Sequence, residues 1–472
     1  MNDYPDTIHG LLTAYRRGEV TPLEVVDHHL AQIARLEPKL NAFALVDRDG
    51  ARAAAMESTA RWQQGERIRD LDGIPMTVKD NVAMAGFPTR SGSRVTSELK
   101  ALVDAPVVGR LREAGVVFLG KTTTPEFGWK GMTDSPLHGR TRNPWNTAYT
   151  PGGSSGGAAA ALAAGIGVAA HGNDGGGSIR IPASYCGLIG LKPTYGRVPQ
   201  APIESPYATL ISNGPLTRSV ADAGLLLNTI SRPDIRDWHA LPQESVDWRV
   251  GINDGLRSLR IAYSDSLGGA TPDPEVGRIC RSLAERLSVE GYDVVEVGGI
   301  IDPLRPQFEK LWKAGFASRL RSVPPERRDD LDPEFRKLAE EGLDVGVEAL
   351  DAAFAARSRL VVKMRRFHLD YDVLLTPTMP TPPPLVDQTY HAPEFDRWDH
   401  AVPYTLPFNL TGQPAISVPV GLCGTGLPVG MQIVATHFRE DLVLRAARAV
   451  LDLLGWTWPD SNLARRVAVL GA

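Results

Sequence analysis

Gly73-Ile74-Pro75-Met76-Thr77-Val78-Lys79-Asp80 is the stretch from which the fold is read. Ile74 to Val78 has the length and apolar content of a buried strand. Downstream, Asp104 and Pro106 open a helix carrying Val107, Val108, Leu111 and Ala114, and Gly115 stops it. Val116 to Leu119 follows as a short apolar strand. The alternation returns at Leu259 to Tyr263, in a helix with Val276, Ile279, Leu283 and Leu287 on one face, and at Val294 to Val297 beyond Gly291. Strand, helix, strand implies crossover units, which build a parallel or mixed sheet with helices on both faces. The fold class is therefore α/β, with residues 1–472 as a single large domain around a mixed, twisted central sheet.

Working outward, residues 1–70 read as a helical lead-in, with Val25, Val26, Leu30, Ile33 and Leu36 at helical spacing. Residues 303–369 turn charged and helical, and Val373-Leu374-Leu375 then reads as a buried strand ahead of the proline-rich loop Pro377 to Pro384. That helical segment is expected to pass over one end of the sheet, where substrate walls sit. Strands at Ala415 to Val420 and Val429 to Ala435 and a helix from Glu440 to Leu454 complete the layer.

Composition narrows the function. A net charge of -4 over 472 residues gives no basic field, so nucleic acid is not expected as a direct partner. No run of about 18 apolar residues occurs, and the start lacks a basic segment followed by an apolar one, so a soluble cytoplasmic protein without membrane contact is expected. Cys186, Cys280 and Cys423 form no CxxC pair, and the adjacent His28 and His29 have no HExxH spacing. Neither a metal nor a cofactor is expected.

Two glycine islands each present a serine, Gly152-Gly153-Ser154-Ser155-Gly156-Gly157 and Gly175-Gly176-Gly177-Ser178. Glycine at this density lets backbone approach a substrate and turn several N–H groups toward one oxyanion. The apolar, uncharged run Ala158 to Ala164 reads as a buried helix whose N-terminus the first island builds, with Ser154 beside it. The strand before Lys79 would carry that lysine inward, where desolvation depresses its pKa and fits it to act as a base. Two look-alikes fail on context. Gly152 to Gly156 matches a nucleophile elbow, but Tyr149-Thr150-Pro151 precedes it in place of a strand. The glycines of Gly165-Ile166-Gly167 close a helix, whereas a dinucleotide fingerprint opens one.

Lys79, the first island and Gly177-Ser178-Ile179-Arg180-Ile181-Pro182-Ala183 together resemble the amidase signature family, as do Arg142-Asn143-Pro144-Trp145-Asn146 and Cys186-Gly187-Leu188-Ile189-Gly190-Leu191-Lys192-Pro193-Thr194. The resemblance covers nearly the whole chain, with residues 72–200 as its signature core. It implies a Ser-Ser-Lys triad: Ser178 as nucleophile, Ser154 as proton shuttle on a cis Gly153–Ser154 bond, and Lys79 as base and later acid. It further implies an oxyanion hole from the N–H groups of Gly175, Gly176, Gly177 and Ser178, a structural pairing for Arg180, and no cofactor. Homodimers are common among members. Two positions depart from the family pattern: Gly175 replaces a threonine, and Asn173 stands where a small serine or threonine is usual.

Ile181, three residues after the nucleophile, offers no partner to a carboxylate or carboxamide, so a neutral, apolar or aromatic acyl group is expected. Trp129, Met132 and Tyr195 are candidate substrate-binding walls beside Ile181, as are Phe308 and Trp312 of the helical segment. The expected activity is hydrolysis of small amides, with anilides and carbamates within reach of the same machinery. A glutamine-hydrolysing subunit of a tRNA-dependent amidotransferase is the alternative enzyme, and a noncatalytic nucleotide- or anion-binding protein is the alternative of another class.

Overall fold

The strand read at Ile74 to Val78 lies at Pro75–Lys79 and is buried along its whole length. It belongs to a computed structural model that describes residues 4–203, 206–302, 305–388, 401–458 and 461–470. In chain order the strands are β1 (Phe43–Val46), β2 (Pro75–Lys79), β3 (Val117–Thr122), β4 (Asp134–Ser135), β5 (Gly139–Arg140), β6 (Ala169–Asp174), β7 (Ile189–Lys192), β8 (Ser212–Thr217), β9 (Arg260–Tyr263), β10 (Asp293–Glu296), β11 (Val373–Pro377), β12 (Ala415–Leu422) and β13 (Pro428–Ala435). Eleven of them form one sheet in the order β1-β3-β2-β6-β8-β7-β12-β13-β11-β9-β10, and β4 pairs with β5 alone.

The sheet is mixed. β2 runs parallel to β3 and β6, and β9 runs parallel to β10 and β11, while the strands between these groups pair antiparallel. Side chains alternate between its faces, as strand geometry requires. Val373 and Leu375 join one core cluster with the helix Pro274–Val289, whereas Leu374 joins a second cluster under the helices Arg305–Arg321 and Val347–Asp370. Both faces are therefore covered, and the fold is a single α/β domain.

The helical lead-in contains one strand, β1, which pairs antiparallel with β3 at the sheet edge. Residues 303 and 304 of the expected helical segment lie outside the described residues. The rest of that segment forms the helices Arg305–Arg321, Pro333–Glu341 and Val347–Asp370. The run Ala158 to Ala164 falls in the helix Gly156–Ala163, all of whose residues are buried. Small side chains bring this helix close to the sheet. A Cβ at Gly157 would lie 2.5 Å from both Ala42 O and Thr123 N, so only glycine fits there.

Candidate active site

β2 and β6 are parallel neighbours, so their C-terminal ends lie side by side with Lys79 on one and Asn173-Asp174 on the other. Ligands commonly bind at the carboxyl ends of such strands. Met76 and Val78 face the larger core cluster, and alternation turns Thr77 and Lys79 to the opposite face. There Lys79 Nζ lies 2.7 Å from Ser154 Oγ and 2.7 Å from Asn173 Oδ1. The Asn173 amide in turn donates to Asn81 Oδ1 at 2.9 Å. Burial pushes the Lys79 amine well below its ordinary value, against an upward pull from the Asp174 charge. Asp80 turns away and forms a buried ion pair with Lys121 at 2.9 Å.

The two glycine islands are joined by the Ser155 N–H, which donates to the Ser178 carbonyl at 3.1 Å. The Gly153–Ser154 peptide is cis. Ser178 Oγ makes no hydrogen bond to a described residue and lines the same cavity as Ser154. The loop before it is shaped by Asp174. Its carboxylate accepts from the Gly177 N–H at 2.7 Å and from the Ile179 N–H at 3.2 Å. The Gly177 amide is thereby committed within the protein, which separates it from the other three expected oxyanion donors. The N–H groups of Gly175, Gly176 and Ser178 have no acceptor among the described residues.

Arg180 is fully buried and holds Asp174 at 2.8 Å, with further bonds to Thr405 O, Gln432 Oε1 and Asn409 Oδ1. Burial alone would raise the Asp174 carboxyl, but the Arg180 guanidinium holds it far below the usual carboxylate range. Removing one partner of such a pair leaves the other buried and uncompensated. Arg180→Met is therefore expected to lower the unfolding free energy by about 3–5 kcal/mol, read from the urea denaturation midpoint.

Ser154, Ser178, Asn81, Asn173 and Gly175 open on one cavity of about 350 Å³. None of the six expected substrate-binding residues is among its described lining residues. Ile181 and Trp129 pack with Tyr185 in an apolar cluster beneath the serine loop. Met132 meets Gly153 through its backbone, and the Tyr195 hydroxyl is hydrogen-bonded to His239 Nδ1. Phe308 and Trp312 are buried in the second core cluster. The helical segment contributes a different residue to the cavity, Arg319, whose guanidinium sits over the Phe127 ring at 5.1 Å.

Sequence reasoning missed the roles of Asn81, Tyr207 and Arg319 in this cavity. Asn81 lies two residues beyond Lys79 and was within reach of a local reading. Tyr207 and Arg319 arrive from distant loops and helices, with no signal of their own. Among the described residues, no group of three or more His, Cys, Asp or Glu side chains could hold a metal ion. No helix among them is long and apolar enough to cross a membrane.

A profile of the Amidase family matches residues 24–444. An acylamidase of Rhodococcus erythropolis is 36% identical over 445 residues, covering 91% of this chain and 91% of its own length. A glutamyl-tRNA(Gln) amidotransferase subunit of Synechococcus sp. is also 36% identical, over 477 residues, 93% of this chain and 95% of its own. The crystal structure of a bacterial aryl acylamidase of the amidase signature enzymes superposes with a TM-score of 0.90 at 27% identity, covering 99% of this chain and 98% of that one.

Proposed function

The chain belongs to the amidase signature family and hydrolyses amide C–N bonds, and on that premise we propose that it acts by itself on uncharged carboxylic amides through an acyl-enzyme on Ser178. The observation that carries this reading is the 2.7 Å contact between Lys79 Nζ and Ser154 Oγ at a cavity that also holds Ser178. A neutral Lys79 amine accepts the Ser154 proton while Ser154 takes that of Ser178, and Ser178 Oγ adds to the substrate carbonyl. The free amides of Gly175, Gly176 and Ser178 receive the oxyanion. Collapse breaks the C–N bond, and the departing amine takes a proton from Ser154, which Lys79 replenishes. Water then adds to the acyl-enzyme with the same groups as base, and the carboxylic acid leaves.

Asn173 fits this cycle in one respect. With its lone pair turned to Ser154, the neutral amine still has a proton to give to Asn173 Oδ1 at 2.7 Å. Among the described residues that line the cavity, Arg319 alone is charged, and its guanidinium lies over the Phe127 ring. The acylamidase and aryl acylamidase relatives support apolar or aromatic amides, with anilides and carbamates in the same class. The amidotransferase relative supports the second reading, glutamine hydrolysis within a complex. A hydrolysis screen of aliphatic amides, anilides, carbamates and glutamine separates the two. The best amide, anilide or carbamate is expected to exceed glutamine in kcat/KM by about 10²-fold or more, the margin at which a pocket rejects an unpartnered polar group. Glutamine as the best substrate would reverse the assignment.

A further inference from the structure

Tyr207 stands at the Gly175 end of the serine loop in a place that two glycines keep open. A Cβ at Gly175 would lie 3.2 Å from the Tyr207 hydroxyl, and a Cβ at Gly315, on the helix Arg305–Arg321, would lie 2.2 Å from the Tyr207 Cβ. The ring is wedged between the loop and that helix and meets Trp312 edge-on, with centroids 4.5 Å apart at 85°. Its hydroxyl has no hydrogen-bond partner among the described residues, and Tyr207 is one of the residues that line the cavity with Ser154 and Ser178. A phenol so placed has a proton to give and no protein acceptor to take it. Burial, and then the nearby Asp174 charge, push its pKa up, so it stays protonated and acts as a donor.

We propose that the Tyr207 hydroxyl is a catalytic donor to the substrate's carbonyl oxygen as that oxygen becomes the oxyanion. It stands beside Gly175 and supplements a set from which Asp174 has withdrawn the Gly177 N–H. The glycine at 175 leaves it room, since a Cβ there would press on the hydroxyl at 3.2 Å. The inference rests on the acyl-enzyme reading above, so its test must distinguish the two.

A fluorophosphonate probe does so, because Ser178 Oγ would bond to phosphorus, fluoride would leave, and the phosphoryl oxygen would take the oxyanion's place. Wild-type protein that is not labelled at Ser178 ends the parent reading, and this inference with it. Given labelling, Tyr207→Phe is expected to lower the inactivation rate constant kinact by about 10²-fold, the usual loss for one oxyanion donor, with KI and thermal midpoint little changed. Gly175→Ala, which crowds the hydroxyl, should slow labelling in the wild-type background and much less in the Tyr207→Phe background. Labelling at an unchanged kinact in folded Tyr207→Phe, or a change in KI alone, would overturn the role.

Discussion

Ser178→Ala is expected to abolish fluorophosphonate labelling and to reduce amide turnover by about 10⁴-fold or more, the scale seen when a nucleophile that acts as part of a unit is removed. Stability should hardly move. Ser178 is buried, but its Oγ makes no hydrogen bond to a described residue, so removing it leaves no buried partner unsatisfied, and a change that touches none of the large-effect mechanisms stays within about 0.5 kcal/mol. Labelling that survives in Ser178→Ala would assign the nucleophile elsewhere. A collapse of the fold would break the link between the lost activity and the lost hydroxyl.

Lys79→Met is expected to do the reverse in stability and nearly the same in activity. Turnover should fall by about 10³-fold or more, since among the described residues Lys79 is the basic group hydrogen-bonded to Ser154. The fold, however, should gain roughly 1–3 kcal/mol near neutral pH, because an apolar side chain of similar length replaces an amine whose charged form is penalised by burial. The sign follows from linkage. The folded-state pKa is depressed, so between that value and 10.5 the unfolded chain holds a proton that the native one lacks. Wild-type stability from this group therefore rises with pH across that window and is lost as pH falls through it. The advantage of Lys79→Met should accordingly shrink toward pH 10.5, as denaturation midpoints measured along a pH series would record. Wild-type kcat/KM should fall on the acid side as Lys79 takes up a proton, still well below the ordinary lysine range. A variant with most of its rate intact, or destabilised at every pH, would contradict the assignment.

The strands that the sequence announces are those with apolar runs. β2, β3, β9, β10, β11, β12 and β13 all lie within a few residues of their expected places. Others were illegible for a physical reason. β8 reads Ser212-Asn213-Gly214-Pro215-Leu216-Thr217, a composition of turn residues, and β6 ends in His171-Gly172-Asn173-Asp174. Both are buried in the middle of the sheet all the same, because backbone pairing and side-chain bonds such as that between His171 Nε2 and Asn213 Oδ1 at 3.0 Å satisfy their polar groups. β1 was hidden inside a helical lead-in because four residues at an edge carry too little pattern to interrupt helical periodicity.

At the candidate site, the two serines, the lysine and the glycine loops are visible because each has a local signature along the chain. The wall of the cavity is not. Ile181 and Trp129 sit next to signature residues in sequence, yet they pack with Tyr185 in an apolar cluster, and Met132 meets Gly153 through its backbone, while Tyr207 and Arg319 come from segments 29 and 141 positions beyond Ser178. Proximity in sequence fixes which side chains are near a loop but not the side of it on which they lie.

By itself the sequence determined the α/β class, the inward course of the strand bearing Lys79, and the residue types available for acyl transfer, all of which depend on neighbours along the chain. The tertiary structure alone decided that Lys79 meets Ser154 and Asn173 and that Tyr207 and Arg319 reach the cavity. These contacts join residues 75 and more positions apart in the first instance, and they follow from the parallel pairing of β2 with β6 and the packing of helices over the sheet. Desolvation of the amine belongs to the same level, since burial is a property of the packed molecule and not of any stretch of it.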